Sequence, residues 1–344
     1  MTRVSFGALS VQRLSRARLA ALQRYSIVVL LVIVAAIFSV LSPRFSSPSN
    51  LVTVLLQAAA TAIAAIGMTF VITCAEIDIS VGSMMSLAMT LAWLVAVEPG
   101  AAPGESAPVG PIVYPAALVA GLVLGLINGL IVNGLRINSL VATLATLSVY
   151  RGVALHLVGS SDKPSVGAVQ VLARAETLGV GWPVYLAVLV ATIGAVVLYR
   201  TRPGRYIHAL GGSLRSAAET GLPTARTRLL AFAVSGVCAA IAGLVTVGRV
   251  GTLQAGLGVN FEFTVIAAVV LGGTSLFGGR GSVVGSMLGA VLLSTIDNGL
   301  NLINASVYIY DVIRGVILII AIAMDLGFTR LGRSSRTLAA GAGA

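Results

Sequence analysis

Apolar residues fill long stretches of the chain, and polar or charged positions gather in the short gaps between them. Runs of about 17 to 25 apolar residues have the length that carries a helix across the hydrocarbon core of a bilayer. They predict spans near residues 26–42, 51–73, 79–97, 113–134, 139–158, 182–200, 229–247, 262–276, 282–296 and 307–324, ten in all. The runs are rich in Leu, Val, Ala and Gly and lack the period-2 alternation of membrane β-strands. The expected fold class is therefore all-α, a polytopic membrane helical bundle. Tyr25, Tyr114, Trp182, Tyr185 and Tyr199 fall at predicted span ends, where amphipathic rings suit the headgroup layer. The eighth and ninth runs are short and Gly-rich, joined by "LGGTSLFGGRG", a pattern expected of broken or re-entrant helices.

Composition agrees. Of 344 residues, 57% are hydrophobic and 10% charged, too apolar for a soluble domain. The net charge of +11 changes the picture only through its placement. Arg3, Arg13, Arg16, Arg18 and Arg24 precede the first run, six arginines lie between Arg200 and Arg228, and Arg330, Arg333 and Arg336 follow the last. This positive-inside pattern puts both termini and the 200–228 segment on the cytoplasmic side. It also disfavours nucleic acid as a partner, because the cations sit at helix ends. Even numbers of spans separate the three basic blocks, as that orientation requires. The expected organisation is a basic cytoplasmic segment at 1–25, one transmembrane domain at 26–325 with a cytoplasmic loop at 201–228, and a cytoplasmic tail at 326–344. The first run leads into "SPRFSSPSN" without a small-x-small cleavage site, so it reads as a retained helix.

Glycine spacing adds packing information. Gly121, Gly125 and Gly129 recur every fourth residue, as do Gly281, Gly285 and Gly289. Each set lies on one helix face, where a neighbouring backbone can approach closely in lipid. The words "IAAIG", "VGSM" and "NGL" at residues 63–67, 81–84 and 128–130 are echoed by "IAAVV", "VGSM" and "NGL" at 266–270, 284–287 and 298–300. Duplication and chance similarity between Gly/Ala-rich helices both account for that echo.

Few polar positions interrupt the apolar pattern. "AEIDISVGSM", residues 75–84, places Glu76 and Asp78 at a turn ahead of Ser80, Gly82 and Ser83. One reading is a helix start, where carboxylates and hydroxyls cap free N–H groups. The other is a polar pathway or gate, with Asp78 paired to a cation from elsewhere, since unpaired charge near lipid is costly. Arg280 of "FGGRG" is the nominated partner. Asp311 and Arg314, three apart in the last run, read as an internal pair. In "RYIHALGGSLRSAAETGLP", residues 205–223, Gly211 and Gly212 are expected to turn, Ser213 to cap a helix over 214–220, and Gly221 with Pro223 to end it. So short a helix needs contacts to persist, and Ala217 and Ala218 between Arg215 and Glu219 suit docking into a cleft.

Catalytic chemistry is not suggested. The single lysine, Lys163, belongs to no phosphate-binding loop. Cys74, Cys238, His156 and His208 have no metal-ligand spacing. No cofactor, metal or catalytic residue is expected. Scattered polar groups such as Gln57, Asn128, Asn133 and Asn301 give no geometry for reading a solute.

"EIDISVGSMMSLA", "NGLIVNGLRINSLVATLATLSVYRGVAL", "GGSLRSAAETGLPTARTRLLAFAVSGVCAAIAGLV", "IAAVVLGGTSLFGGRGSVVGSMLGA" and "NGLNL" together resemble the permeases of ribose, xylose and arabinose-type bacterial ABC sugar importers, over residues 51–325. The resemblance implies an inner-membrane protein that passes a sugar, and no ATPase site of its own. It implies as partners a periplasmic sugar-binding protein, a cytoplasmic ABC ATPase subunit and a second permease copy or sister permease. On the same ground Gly211, Gly212, Ser213, Ala217, Ala218, Glu219, Gly221 and Pro223 would couple to the ATPase. Asp78, Ser80, Gly82, Asn128, Arg280 and Asn298 are the expected pathway or gate residues. The chain departs from the family pattern at Glu76, where glycine is common, at Ser213, where asparagine is common, and at Asp311. An ion-coupled secondary transporter using Glu76, Asp297 or Asp311 is the rival reading.

Overall fold

The computed structural model describes residues 27–97, 107–159 and 162–306, and all but 307, 311, 314 and 318 of residues 307–319. Its apolar runs fold as helices α1 (Ile27–Leu41), α2 (Pro48–Thr73), α3 (Val81–Ala96), α4 (Val113–Leu135), α5 (Ser139–Val158), α7 (Trp182–Arg200), α10 (Thr224–Val250), α11 (Phe261–Leu271) and α12 (Val283–Leu302). The described residues from 308 onward are also helical. Short helices α6 (Ala168–Arg174), α8 (Arg202–Gly212) and α9 (Leu214–Glu219) lie between them. Among the described residues, α2, α4, α5, α7, α10 and α12 are long and apolar enough to cross a membrane. The chain is thus mostly helical and polytopic.

Local chemistry sets the helix starts. Ser47 accepts the Asn50 N–H ahead of Pro48, Asn138 accepts the Leu140 N–H, and Ser282 accepts the Gly285 N–H. Each satisfies an N–H that the first turn leaves free. The predicted Gly-rich spans are redrawn: α11 stops at Leu271 because Gly272 and Gly273 turn the chain, and α12 runs on to Leu302. The expected turn at Gly211–Gly212 is corrected too, since both residues close α8. Asp311 and Arg314 lie outside the described residues.

The helical picture is incomplete in one respect. Strand β1 (Ala107–Val109) pairs parallel with β2 (Lys163–Gly167), which pairs antiparallel with β5 (Thr252–Leu253), and β3 (Glu176–Thr177) forms a hairpin with β4 (Val180–Gly181). These pieces tie together the α3–α4, α5–α7 and α10–α11 connections. Trp93 Nε1 donates to Ser165 Oγ (3.0 Å), and the Ala255 N–H donates to Asp162 (3.0 Å), fixing the ties.

At the centre, α2 is buried on every side from Ala58 to Thr73, as expected of a helix apolar all round. Helix α10 packs against α2 and α4. On α4 the buried face carries Gly121, Gly125, Asn128 and Gly129, while Val119, Leu122, Val123 and Leu130 point outward. Small residues inside and large aliphatics outside are what lipid selects, since close backbone approach, not hydrophobicity, drives helix association there. A methyl built on Gly125 would overlap the backbone carbonyl of Phe232, and one on Gly121 that of Gly236. Gly125→Leu is therefore expected to exceed the ~1–3 kcal/mol typical of overpacked cores, because backbone stands in the way. Gly134→Leu, facing open space, should be near neutral. Thermal unfolding of both variants in detergent checks this, and equal midpoints would refute the close packing.

Candidate functional site

Three assemblies concern function: a polar cavity, a buried carboxylate knot, and a short exposed helix. The cavity has a volume of about 480 Å³. Helix α12 turns Ser294, Asp297, Asn298 and Asn301 toward it, the i, i+3, i+4, i+7 spacing of one helix face. Gln57 and Thr61 of α2, one turn apart, line another side, with Thr264 of α11 and Gln254 and Asn260 of the α10–α11 connection. Its seventeen lining residues include no Lys, Arg or His. Asn298 is held in place, its Oδ1 accepting from Asn50 Nδ2 (2.9 Å), which also donates to the Phe45 carbonyl (2.9 Å). The wall formed by the α10–α11 connection is pinned from behind. Arg151 of α5 donates through Nη1 to the Leu257 carbonyl (2.8 Å) and through Nη2 to that of Gly258 (3.0 Å).

The knot centres on Asp78, which is fully buried in the α2–α3 connection. Its Oδ1 accepts the Ser80 N–H (3.1 Å) and the Ser80 hydroxyl (2.6 Å), the local turn that short acidic side chains favour. Its Oδ2 accepts from Ser235 of α10 (2.9 Å). Asn128 of α4 donates to Ser80 Oγ (2.7 Å), and the single hydroxyl proton of Tyr150 of α5 is shared between Asn128 Oδ1 (3.1 Å) and the Leu124 carbonyl (3.1 Å). Four helices, α3, α4, α5 and α10, thereby share one buried hydrogen-bonded cluster. Burial pushes the Asp78 carboxyl above the usual carboxylate range, and the Ser80 and Ser235 hydrogen bonds pull the other way. Such a network is costly if any member is left unpaired.

The nominated Asp78–Arg280 pair is not made. Arg280 is exposed, whereas the polar partners of Asp78 are hydroxyl and amide groups. The cation that answers the acidic stretch is Arg228, at the start of α10, with Nε 2.6 Å from Glu76 Oε1. The pairing could not be read from sequence because 152 positions separate the two residues. Gly82 packs against the backbone of Gly258, linking α3 to the cavity wall.

Helix α9 matches its expected span closely. Ser213 Oγ accepts the Ser216 N–H (3.2 Å), Gly221 follows with φ of +76°, and Pro223 precedes α10. Ala217 points inward and is buried, as is Gly211, which packs on the Thr73 carbonyl. The outward face is Leu214, Arg215, Ser216, Ala218 and Glu219. Arg215 and Glu219 form an i, i+4 ion pair (2.8 Å) with side chains 90% and 62% exposed, so the pair contributes under ~1 kcal/mol.

Sequence reading named Asp78, Ser80 and Asn128 but missed Ser235, Tyr150 and Arg228. It treated Gln57 and Asn301 as scattered, and they share the cavity; Asn133 instead donates to the Ala225 carbonyl (2.9 Å) elsewhere. The i, i+4 spacing of Gln57 and Thr61 and the polar face of α12 were the available signals.

A helical membrane bundle around a polar cavity, with a short charged helix exposed on its surface, is the architecture of a transport permease. The chain belongs to the family described as branched-chain amino acid transport system / permease component, whose profile matches residues 50–322. It is similar to the ribose import permease of Bacillus subtilis, 35% identical over 298 residues, covering 86% of this chain and 90% of that one. It is also similar to the D-allose transport system permease of Escherichia coli, 35% identical over 310 residues (88% and 91%). The autoinducer 2 import system permease of an Enterobacter strain is 37% identical over 299 residues (85% and 84%). No solved structure matches the chain significantly.

Proposed function

We propose that the chain is the inner-membrane permease of an ATP-driven importer that passes a sugar, a monosaccharide by the scale of the cavity, from a periplasmic binding protein to the cytoplasm. The observation that carries the reading is the cavity itself. Carboxamides and hydroxyls on α2, α10, α11 and α12 offer donors and acceptors to a polyhydroxylated solute, within the roughly 300–1,000 Å³ range of small-molecule sites. The relatives' names, which specify ribose, allose and autoinducer 2 import, support it. In this reading α1, α2, α3, α4, α5, α7, α10, α11, α12 and the helix from residue 308 make ten spans. Both termini and the α8–α9 segment are cytoplasmic, as the arginine blocks suggest. The ATPase is a separate chain that docks on α9, and a second permease copy or sister permease completes the pathway. Asp78, Ser80, Gly82, Asn128 and Asn298 shape that pathway, the first four by holding helices in register and Asn298 by facing the cavity.

Uptake of radiolabelled pentoses and hexoses by cells expressing the full system should stop when ATP is depleted, and when the binding protein is absent. It should persist when an uncoupler collapses the proton gradient with ATP maintained. Loss of uptake with the uncoupler alone would turn the assignment to an ion-coupled transporter.

A further inference from the structure

We propose that the α11–α12 connection, residues 275–281, is a second docking foot for the ATPase subunit, set beside α9 and presenting Phe277 and Arg280. The proposal rests on the importer reading above and adds a surface to it. Helix α9 is too small to dock a protein alone. Its six residues span only ~9 Å, and its outward face is five side chains, whereas a stable interface buries about 800 Å² on each partner. The docking surface must therefore continue onto whatever lies against α9, and the structure shows what does.

The connection "SLFGGRG" is built onto the root of α9. The Gly279 N–H donates to the Thr73 carbonyl at the end of α2 (2.9 Å). Its own carbonyl lies 3.2 Å from His208 Nδ1 of α8, and a methyl placed on it would sit 3.1 Å from Gly212 Cα, two residues before α9. Gly278 packs directly on Ala75, and both hold left-handed backbone, φ +81° and +61°. Tyr199, stacked on His208 with ring centroids 6.4 Å apart, donates to the Gly281 carbonyl (3.2 Å) and accepts the Val283 N–H (2.9 Å). Within the connection, the Ser275 N–H donates to the Arg280 carbonyl (3.0 Å). The backbone is thus tied to α2, α7, α8 and α12 by specific bonds.

On this fixed base two side chains remain outside. Phe277 is 52% exposed, and Arg280 is exposed too. An aromatic ring and a guanidinium are side chains enriched where interfaces concentrate their energy, and a rigid base lowers the ordering cost of binding. The neighbouring α9 face carries the mostly solvent-exposed Arg215–Glu219 pair, which marks this rim as facing water and a soluble partner more than lipid tails. The fitting partner surface is an apolar socket for Phe277 with a carboxylate or carbonyl rim for Arg280. Because the same connection grips the ends of α2 and α12, which line the cavity, a push on the foot would reach the pathway without passing through α9.

The test uses the complete transporter purified in mild detergent from its own membranes, with folding checked by size exclusion. Phe277→Ala and Arg280→Glu are each expected to lower co-purified ATPase subunit, identified by mass, at least tenfold. Benzoylphenylalanine replacing Phe277 should give a photo-adduct of the permease with that subunit. Wild-type amounts of ATPase in both variants, or a photo-adduct with lipid alone, would overturn the foot. Ala218→Asp is read in parallel. If it leaves the ATPase bound, the α9 reading fails by itself, while the crosslink from position 277 still decides the foot.

Discussion

Asp78→Leu is expected to disable the protein by unmaking the knot that joins α3, α4, α5 and α10. The substitution removes an acceptor that takes the Ser80 N–H and the Ser80 and Ser235 hydroxyls, and it takes away the Asp78 oxygen 3.5 Å from the Asn128 amide nitrogen. Buried donors without partners cost ~1–3 kcal/mol each, so the total approaches the whole ~5–15 kcal/mol stability of a typical domain. Asp78→Asn keeps one acceptor oxygen at the same place and should fall between wild type and Asp78→Leu. Ser235→Ala removes one donor and should cost least. Thermal unfolding in detergent gives the order, and uptake should follow the same ranking. An Asp78→Leu protein that melts with the wild type would show that the knot does not hold the helices together.

The knot also marks where sequence stops being informative. Long helices were legible because lipid demands unbroken apolar runs, and α4 was legible down to its packing face because glycines four apart have one mechanical use in a bilayer. Asp78 stood out as a carboxylate in apolar surroundings. Its partners did not: Ser235 and Tyr150 are single hydroxyls on apolar helices, where serine and tyrosine are common, and nothing in their neighbourhood distinguishes them. Arg228 was counted with a charge block that fixes orientation, which concealed its specific contact with Glu76. The strands escaped for a different reason. At two to five residues they are too short to show alternation, and only their partners across the chain make them strands. Helix α8 carried a start signal, Thr201 capping ahead of Pro203, but its three charged or histidine side chains, with three glycines, in eleven residues resembled a loop. The two "NGL" words illustrate the limit well. Asn128 binds within the knot and Asn298 faces the cavity, so matching letters do not perform matching work.

Two neighbouring alanines on α9 should separate folding from coupling. Ala217 is buried among α8, α9 and α10, 4% exposed, with its carbonyl accepting the Leu222 N–H (3.1 Å) and the Thr220 hydroxyl (3.0 Å). A carboxylate there would be buried in the apolar cluster that Ala217 joins, and burying a charge in such surroundings costs several kcal/mol. Ala217→Asp should therefore lower the melting temperature and detach α9 from its own chain, so that loss of the ATPase in this variant says nothing about docking. Ala218 is exposed one position on, where aspartate meets only water in the isolated permease and fits the helix surface with little cost. Ala218→Asp should melt with the wild type yet lose ATP-driven uptake, because its charge would be desolvated against the partner. If Ala218→Asp supports wild-type uptake with the ATPase still bound, the outward face of α9 is not where force enters the membrane domain. If both variants melt early, α9 is a structural strut whose sequence is constrained by α8 and α10 alone. The informative outcome is the split, an intact fold with no coupling at 218 and a broken fold at 217, because only a helix with one face owned by the permease and the other by its partner produces it.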